Sequence, residues 1–531
     1  MLPLAEIPEV YPKGCVSAAH PLAVEAGVDC LRKGGNAVDA AITTAFVLQV
    51  VLPAFSGIGG GGCALIWSQK GKKSVFVNYR EVAPLKATSR MYPALPDGTV
   101  PDSSNSVGYR AVAVPGALAG ESLMLSKFGT ISLKETMLPA IRHAENGFEV
   151  SRALNEVMVR ATEKLKRFPS SAEILLRRSE PYSVGERINL KDLAGTFRHI
   201  SDEGIEAFYE REISQAILQE MQKNDGLLTK KDLAAYRPIV VKPLRSKYRG
   251  YDVFTSPPPF GGIAVLEILH ILEQFNVSGM GHNAIETLRL LSDIMMLAYA
   301  DKMKYLGDPR FRRVPTRSIL SRKRAKLFSK KILSDTPYVD VSEPLHGDST
   351  THLTVADDQG NVVAMTETIE CYFGSGITVP GTGILLNDEM HDFDPRPGHV
   401  NSVSAGKQPA SNQSPTVVSK NGKFVLGLGS AGGTRIVSAV IQALSNVIDH
   451  GLDVSAAVAA PRIHYEQGTV HVEGRIPRSA EGAIQAAGKK VNFRKDFDIY
   501  FGGIHAVAGE PLKEGFRGAA DPRRDGVGRG F

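Results

Sequence analysis

The chain has 531 residues, of which 43% are hydrophobic and 22% are charged, a composition typical of a globular protein that excludes a disordered chain. The net charge is +6, and the basic residues are scattered apart from small clusters such as residues 322–326. Clusters of that size are typical of a solvated face, so neither nucleic acid nor a membrane surface is expected as a partner. The four cysteines, at positions 15, 30, 63 and 371, are too few and too dispersed for a disulfide framework or a zinc site, and no metal is expected. At about 150 residues per domain the length allows three or four units, but large single α/β folds run longer, so the number of domains stays open.

The N-terminal residues MLPLAEIPEVYPKG have neither the basic region nor the continuous apolar region of a signal peptide. A cytoplasmic location is expected on that ground. The most apolar segment, 40–55, contains two threonines and a glutamine and is shorter than the roughly 20 residues that a bilayer span needs. It predicts a buried helix, and no membrane span is expected.

Hydrophobic spacing predicts helices over 22–33, ending at Gly34-Gly35, and from Asn36 to about residue 51. The run GIGGGG at 57–62 precedes an apolar strand over 63–67 and predicts close backbone approach or a sharp turn. A phosphate-binding loop is the alternative, but no Gly-Lys-Ser/Thr follows the run. Further helices are predicted over 212–223, 262–275 and 284–306, and after residue 352 short strands separated by turns are expected.

The stretch GDSTTHLTVA, which starts at Gly347, has the period of two that is typical of a β-strand. The residues DDQG at 357–360 are typical of a turn, and 362–369 is a second β-rich run. Together the two runs predict a hairpin that begins at Thr350.

A threonine at the start of a strand acquires a special chemistry if the bond before it is cut. Threonine oxygen is a weak nucleophile, and an N-terminal α-amine is one of the few groups that activate it. With a reference pKa of about 7.7 to 8.0, that amine works as a general base near neutral pH. A Thr-Thr pair alone is an ordinary feature of strands, so the chemical interpretation depends on the motifs that accompany it.

Further motifs follow the threonine pair in a fixed order. They are TTH at 350–352, FGSG at 373–376, GILLNDEMHDF at 383–393, SPT at 414–416 and GSAGGTR at 429–435. Others are GGNAVDA at 34–40, YREVAP at 79–84, DLAAY at 232–236, LGDP at 306–309 and ADPR at 520–523. In this order and spacing the chain resembles the γ-glutamyltransferases (glutathione hydrolases) of the N-terminal-nucleophile hydrolase superfamily, and it is most similar to the bacillus-like type without a lid. The resemblance covers nearly the whole chain.

This resemblance implies a mixed α/β (α+β) fold, a four-layer αββα sandwich, made as a precursor that cleaves itself. The hydroxyl of Thr350 would attack the carbonyl of Ser349, leaving a large subunit of residues 1–349 and a small subunit of 350–531. The two would interlock as a heterodimer within one αββα unit. Thr350 would then take the γ-glutamyl group from glutathione or a related γ-glutamyl compound and pass it to water, an amino acid or a peptide. No organic cofactor is implied.

The resemblance also implies roles for individual residues in the chemistry. Thr350 is the nucleophile, and Thr368 would hydrogen-bond to it. Gly432 and Gly433 align with the oxyanion hole, in which backbone N–H groups stabilise the tetrahedral intermediate. Thr351 is a weaker candidate for a part in processing.

Six further residues align with the binding site for the γ-glutamyl group. Arg80 matches the arginine that holds the α-carboxylate, a task suited to its planar fork. The α-ammonium would be held by Glu370, Glu389 and Asp392. The first of these is asparagine in enteric and mammalian members and glutamate in the bacillus type. Ser411 aligns with a carboxylate-binding serine. Asn412 replaces the second serine of the common LSSM pattern, and its amide can still donate a hydrogen bond.

Two alternatives to γ-glutamyl transfer remain open. One is an amidase of the same fold that acts on a different acyl group, such as a glutaryl group or a small oxo-acid amide. The departure of Asn412 from the serine pattern is compatible with this alternative. The other is an unprocessed binding or scaffold protein without chemistry. The segment between Phe393 and Pro409 is short where several family members carry a lid, which implies an open cleft that admits bulky γ-glutamyl chains.

Overall fold

The computed structural model describes residues 9–334, 349–510 and 515–531. Gly347 and Asp348, the first two residues of the GDSTTHLTVA stretch, lie outside the described residues, as do residues 1–8 at the N-terminus. Among the described helices, none combines the length and the apolar character that crossing a membrane requires.

The described chain alternates helices with strands. The strands are β1 (Cys15–Ala18), β2 (Gly61–Ser68), β3 (Lys73–Tyr79), β4 (Phe148–Glu149), β5 (Leu176–Arg177), β6 (Glu180–Pro181), β7 (Arg187–Ile188), β8 (Ile239–Val241), β9 (Leu244–Tyr248), β10 (Tyr251–Thr255), β11 (Thr351–Ala356), β12 (Val362–Thr368), β13 (Thr378–Val379), β14 (Ile384–Leu385), β15 (Thr416–Lys420), β16 (Lys423–Ala431), β17 (Ile463–Glu466), β18 (Thr469–Val472), β19 (Lys490–Phe493), β20 (Gly503–Gly509), β21 (Phe516–Ala520) and β22 (Val527–Gly530). The α-helices are α1 (Pro21–Arg32), α2 (Ala37–Val51), α3 (Ala117–Phe128), α4 (Leu133–Asn146), α5 (Arg152–Lys166), α6 (Pro169–Leu175), α7 (Lys191–Glu203), α8 (Glu206–Tyr209), α9 (Glu212–Lys223), α10 (Lys230–Ala235), α11 (Gly262–Leu272), α12 (Val277–Met280), α13 (Ile285–Tyr305), α14 (Thr316–Ile319), α15 (Arg322–Leu333), α16 (Arg435–Ile448), α17 (Val454–Ala459) and α18 (Ala480–Ala486). Short 3-10 helices cover Tyr109–Ala111, Glu389–Asp392 and Ile499–Phe501.

Two antiparallel sheets form the centre of the molecule. The first has seven strands in the order β22-β1-β11-β12-β2-β3-β8, and the second has six in the order β21-β20-β16-β15-β10-β9. Apolar side chains from both sheets meet in one buried cluster, in which Trp67 contacts Phe254 and Phe76 contacts Phe260, with ring centroids 5.4 and 5.1 Å apart. The sheets therefore stack face to face.

Helices cover the outer faces of both sheets. One buried cluster joins α1, α2, α4 and α7 to the seven-stranded sheet, and a second joins α11, α13 and α16 to the six-stranded sheet. This arrangement confirms the predicted four-layer αββα fold.

The structure confirms most of the predicted elements and corrects one expectation. Helices α2, α9 and α13 lie where the spacing placed them, and Asn36 caps α2 by accepting the N–H groups of Val38 and Asp39 at 2.8 and 3.1 Å. Helix α11 ends at Leu272, three residues earlier than predicted.

The expectation of short strands separated by turns after residue 352 omits three helices, the shorter α17 and α18 and the long α16, which spans Arg435–Ile448. Its sequence, RIVSAVIQALSNVI, is rich in β-branched residues, which favour strands. The apolar repeat of Ile436, Val440 and Leu444 is the signal that would have identified the helix.

The predicted hairpin lies at the centre of the seven-stranded sheet. Strands β11 and β12 pair antiparallel, with Thr351 opposite Glu367. Strand β11 starts at Thr351, so Thr350 immediately precedes it, while Thr368 is the last residue of β12. The pairing brings Thr350 and Thr368 to the same end of the hairpin.

The glycine run at 57–62 lets β2 approach β12 closely, as predicted. A Cβ atom on Gly60 would lie 2.1 Å from the carbonyl oxygen of Thr368, and one on Gly62 would lie 2.2 Å from that of Thr366. The run leads into β2, not into the helix N-terminus that a phosphate-binding loop needs. Its glycines therefore serve strand packing beside Thr368.

We expect Gly60→Ala to destabilise the protein by about 1 to 3 kcal/mol, because the new methyl group overlaps the Thr368 carbonyl. Gly57→Ala is the matched control, since its Cβ would meet only Ile369 at 3.9 Å. Thermal unfolding of both variants checks the expectation, and equal midpoints for the two would contradict it.

Candidate active site

Thr350 is a buried residue whose hydroxyl lies against the peptide carbonyl that precedes it. The side chain is 3% exposed, and its Oγ contacts the carbonyl oxygen of Ser349. The Oγ atoms of Thr350 and Thr368 are 3.4 Å apart. The hydroxyl of Thr350 and the carbonyl of Ser349 therefore lie side by side.

Ser349 is held by three hydrogen bonds. Its hydroxyl donates to the carbonyl of Ala54 at 2.6 Å, and its N–H donates to the carbonyl of Glu370 at 3.0 Å. Its own carbonyl oxygen accepts the Thr368 hydroxyl at 2.8 Å, and the Thr368 oxygen accepts the N–H of Glu370 at 2.9 Å. Thr368 thus donates to the oxygen on which negative charge develops when this carbonyl is attacked.

Gly432 and Gly433 form a turn at the start of α16. Both have left-handed backbone angles, with φ of 117° and 55°, and a Cβ on Gly432 would lie 2.9 Å from the Cα of Gly502. Gly433 lines a cleft together with Thr350. The turn therefore brings backbone amides and the positive end of α16 to the nucleophile, which suits an oxyanion.

A buried arginine that lies among carboxylates lines the same cleft. Arg80 follows β3, is fully buried, and forms ion pairs with Glu389 and Asp392. A third carboxylate, Glu81, lies 3.8 Å from the guanidinium. Oxygen atoms of Glu370, Glu389 and Asp392 lie within 4.8 Å of one another, so the cluster offers a place for one more positive charge.

Burial controls the ionisation of these carboxyl groups. Desolvation, with the nearby charge of Asp392, raises the pKa of Glu370 to about 7. Desolvation also raises the pKa of Glu81 to about 8 and that of Glu389 well above its ordinary value, although the charge of Arg80 opposes both shifts. A cation that enters the cluster would favour the ionised carboxylates, so the site is electrostatically prepared for an ammonium group.

The predicted carboxylate-binding residues lie in the same cleft. Ser411 and Asn412 line it together with Thr350, Arg80 and Glu370. The structure therefore brings the predicted catalytic and binding residues together around one cleft, while their individual roles stay predictions. Cys371 follows Glu370, and burial raises the pKa of its thiol, which makes it a poor second nucleophile.

Several residues that contact the cleft are not predicted from the sequence. The guanidinium of Arg524 lies 3.4 Å from the carbonyl oxygen of Thr350, and Lys302 on α13 donates to the side chain of Asn412. Glu466 accepts the hydroxyl of Thr434, beside the glycine turn, at 2.8 Å. They reach the site from distant elements, and no local motif marks them.

A pair of buried carboxyl groups lies directly behind the site. Gln49 donates to Glu121 at 2.7 Å and to Glu367 at 3.0 Å, and Tyr79 donates to Glu367 at 3.4 Å. Burial raises the pKa of Glu367 to about 7 and that of Glu121 well above its ordinary value. The neighbours of Thr368 and Arg80 in the chain are thus joined through one buried network.

We expect Thr368→Val to slow cleavage at Thr350 by about 10²- to 10³-fold, the usual effect of removing one oxyanion donor. Thr368→Ser keeps the hydroxyl and should cleave at close to the rate of the unaltered chain. Intact mass of freshly purified protein, followed over time under denaturing conditions, measures the rate. Cleavage of the valine variant at the unaltered rate would remove Thr368 from the mechanism.

Comparisons with known proteins agree with this geometry. The family profile "Gamma-glutamyltranspeptidase" matches residues 23–531. The glutathione hydrolase proenzyme of Bacillus subtilis (strain 168) is 37% identical, covering 98% of this chain and 92% of that relative. The acylase ACY 1 proenzyme of Pseudomonas sp. (strain V22) is also 37% identical, covering 98% of this chain and 94% of the relative. The crystal structure of cephalosporin acylase from Bacillus halodurans superposes with a TM-score of 0.90 at 31% identity, covering 100% of this chain and 98% of that one.

These matches confirm the predicted family and fold. They also confirm that the protein is an enzyme of the γ-glutamyl transfer and hydrolysis class, and its relatives are named as proenzymes. A match over nearly the whole length leaves no large part of the chain unaccounted for. The chain belongs to the gamma-glutamyltranspeptidase family.

Proposed function

We propose that this chain cleaves itself between Ser349 and Thr350, and that the resulting enzyme hydrolyses or transfers the γ-glutamyl group of glutathione and related donors. The contact between the Thr350 hydroxyl and the Ser349 carbonyl is the observation that carries the proposal. The mature enzyme would consist of residues 1–349 and 350–531, held together by the shared sheets.

Processing follows from the contacts of the uncleaved form. The Oγ of Thr350 attacks the carbonyl carbon of Ser349, and the hydroxyl of Thr368 stabilises the charge on the carbonyl oxygen. When the C–N bond breaks, the nitrogen becomes the free α-amine of Thr350 and takes up the hydroxyl proton. Water then hydrolyses the Ser349 ester, which restores the threonine hydroxyl and leaves a carboxylate on Ser349.

Turnover uses the same atoms again. The α-amine of Thr350 accepts the hydroxyl proton while Oγ attacks the γ-carbonyl carbon of the donor. The backbone N–H groups of Gly432 and Gly433 stabilise the oxyanion, and the leaving amine departs with the proton. Water or an amine acceptor then removes the γ-glutamyl group from Oγ by the reverse sequence.

Recognition of the donor rests on opposite charges in one cleft. The carboxylates of Glu370, Glu389 and Asp392 suit the α-ammonium, while Arg80, Ser411 and Asn412 line the same cleft and can donate hydrogen bonds to an α-carboxylate. The residues between Phe393 and Pro409 form a short connection, tied down by the ammonium of Lys407, which donates to the carbonyls of Val400 and Ser402 at 2.8 Å. The proposal therefore includes long γ-glutamyl chains as donors.

An acylase is the second candidate, because relatives of similar identity are named as acylases. A glutaryl group is a γ-glutamyl group without the α-amine, so it brings no positive charge to the cluster of Glu370, Glu389 and Asp392, in which Arg80 already pairs with the last two. The acidic cluster favours the γ-glutamyl donor over the glutaryl one for that reason. The non-catalytic alternative is disfavoured by the contact between Thr350 and the Ser349 carbonyl.

The proposal is tested by mass and by paired substrates. We expect the unaltered chain and Thr350→Ser to yield two chains, the smaller starting at residue 350, while Thr350→Ala stays whole. The two-chain enzyme should release p-nitroaniline from γ-glutamyl-p-nitroanilide at least about 10²-fold more efficiently than from glutaryl-p-nitroanilide, because the glutaryl group offers no ammonium to the acidic cluster. A preference for the glutaryl compound would favour the acylase, and an uncleaved, inactive chain would favour the scaffold.

Donor binding should depend on the ionisation of Glu370. Since burial raises the pKa of Glu370 to about 7, this group is protonated in the free enzyme below that pH and cannot pair with the α-ammonium. The KM for γ-glutamyl-p-nitroanilide should therefore rise, by up to about tenfold per pH unit, as the pH falls below 7. Glu370→Gln has no ionisation there and should flatten the rise, whereas an unchanged profile in this variant would exclude Glu370 as its cause.

A further inference from the structure

A buried lysine outside the cleft contacts the side chain that differs from the family's serine pattern. Lys302 lies on α13 and is 7% exposed, and its Nζ donates to the Oδ1 of Asn412. Asn412 is 6% exposed and lines the cleft with Thr350. A residue of the helical layer thus acts directly on a wall of the active site.

This contact fixes which way the Asn412 amide faces. An ammonium group has three donors and no acceptor, so it can pair only with the oxygen of an amide. The NH₂ group of Asn412 must therefore lie on the side away from Lys302. The contact with Lys302 therefore determines the direction of both N–H donors of Asn412.

The backbone around Asn412 is fixed as well. The N–H of Ser411 donates to the carbonyl of Pro259 at 2.9 Å, and the N–H of Gly261 donates to that of Gln413 at 3.2 Å. A Cβ on Gly261 would lie 2.6 Å from the carbonyl oxygen of Asn412, so the two segments are in close contact. The torsions of the Asn412 side chain are the main freedom left, and Lys302 removes it.

The charges of the cleft make this orientation important for a carboxylate ligand. The guanidinium of Arg80 already pairs with Glu389 and Asp392, which offsets its charge. An incoming carboxylate consequently depends on further donors in the cleft, namely Ser411 and Asn412. An amide that turned its oxygen into the cleft would repel the carboxylate.

We infer that Lys302 is a positioning residue that sets the enzyme's preference for donors with an α-carboxylate, by holding the NH₂ group of Asn412 toward the cleft. Asparagine can then replace serine because Lys302 prevents the orientation in which the amide oxygen faces the cleft. The inference rests on the proposed function, since it concerns the donor site of that reaction.

The test compares two donors that differ only in the α-carboxylate, γ-glutamyl-p-nitroanilide and 4-aminobutanoyl-p-nitroanilide. In two-chain enzyme, Lys302→Met should lower kcat/KM for the first donor by about ten- to a hundredfold, mainly through KM, the usual effect of losing a hydrogen bond to a charged group. For the second donor the change should stay within about twofold, and Lys302→Arg should restore the preference. If Lys302 had only a structural role, Lys302→Met would lower kcat/KM equally for both donors, and that result would overturn the inference.

A double-mutant cycle locates the effect on Asn412. In an Asn412→Ser background the side chain can no longer turn the wrong way, so Lys302→Met should cause no further loss of preference. An undiminished further loss would overturn the inference. If Lys302→Met does not mature, Asn412→Asp is tested instead. This variant keeps a hydrogen-bond partner for Lys302 but removes both N–H donors of residue 412. A retained preference for the γ-glutamyl donor in that variant would overturn the inference.

The two proposals fail in different ways. An unaltered enzyme that does not prefer γ-glutamyl-p-nitroanilide over 4-aminobutanoyl-p-nitroanilide contradicts the proposed function itself. An unaltered enzyme with that preference, combined with a Lys302→Met enzyme that retains it, contradicts only the role of Lys302.

Discussion

The pairing of β11 with β12 in the middle of the seven-stranded sheet is the constraint on which the rest of the site depends. It sets Thr350 and Thr368 side by side, because one immediately precedes β11 and the other ends β12. Strand β2 holds β12 from the other side through glycine contacts that leave no room for a side chain at residue 60. Both faces of β11 and β12 are buried, so a slip by one residue would exchange the side chains that pack on the helices with those that pack on the other sheet. The distance between nucleophile and scissile carbonyl is therefore a property of the whole sheet.

Electrostatics gives the cleft its second property. Four carboxyl groups surround a single buried arginine, and burial raises the pKa of three of them, Glu81, Glu370 and Glu389. Such a cluster is costly to bury in its ionised form, since it holds more carboxylates than cations. An ammonium ligand supplies the missing charge and recovers part of that cost on binding. The site accordingly selects its ligand by charge balance as well as by shape.

The sequence was informative where local pattern and structure coincide. The periodicity of α2, the hairpin around residues 357–360 and the glycine run before β2 are local signals, and each led to the correct element. Helix α16 is not predicted because its β-branched residues favour strands, although its apolar residues repeat with a helical spacing and it packs against the six-stranded sheet. The ordered motifs identified the residues of the cleft because the resemblance carries three-dimensional information that the residues themselves do not.

Contacts between distant elements were beyond the reach of the sequence. Lys302 and Asn412 are 110 residues apart, and Gln49 and Glu367 are 318 apart. Neither pair follows a helical or strand period, so nothing in the local pattern joins them. They become neighbours only when both sheets and both helical layers are assembled.

In the cleft, the groups for bond breaking and the groups for recognition lie on different parts of the fold. This separation explains how one fold serves relatives named as hydrolases and as acylases. The groups placed for bond breaking, Thr350, Thr368 and the turn at Gly432, are fixed by central strands and by the start of α16. The groups proposed for recognition, among them Arg80, Glu370 and Asn412, lie just outside the strands, in the connections between elements. A change of acyl group would require new side chains in these connections, each of them held in one orientation. Lys302 shows how the helical layer meets that condition, since a single buried donor from α13 decides which end of an amide the substrate meets.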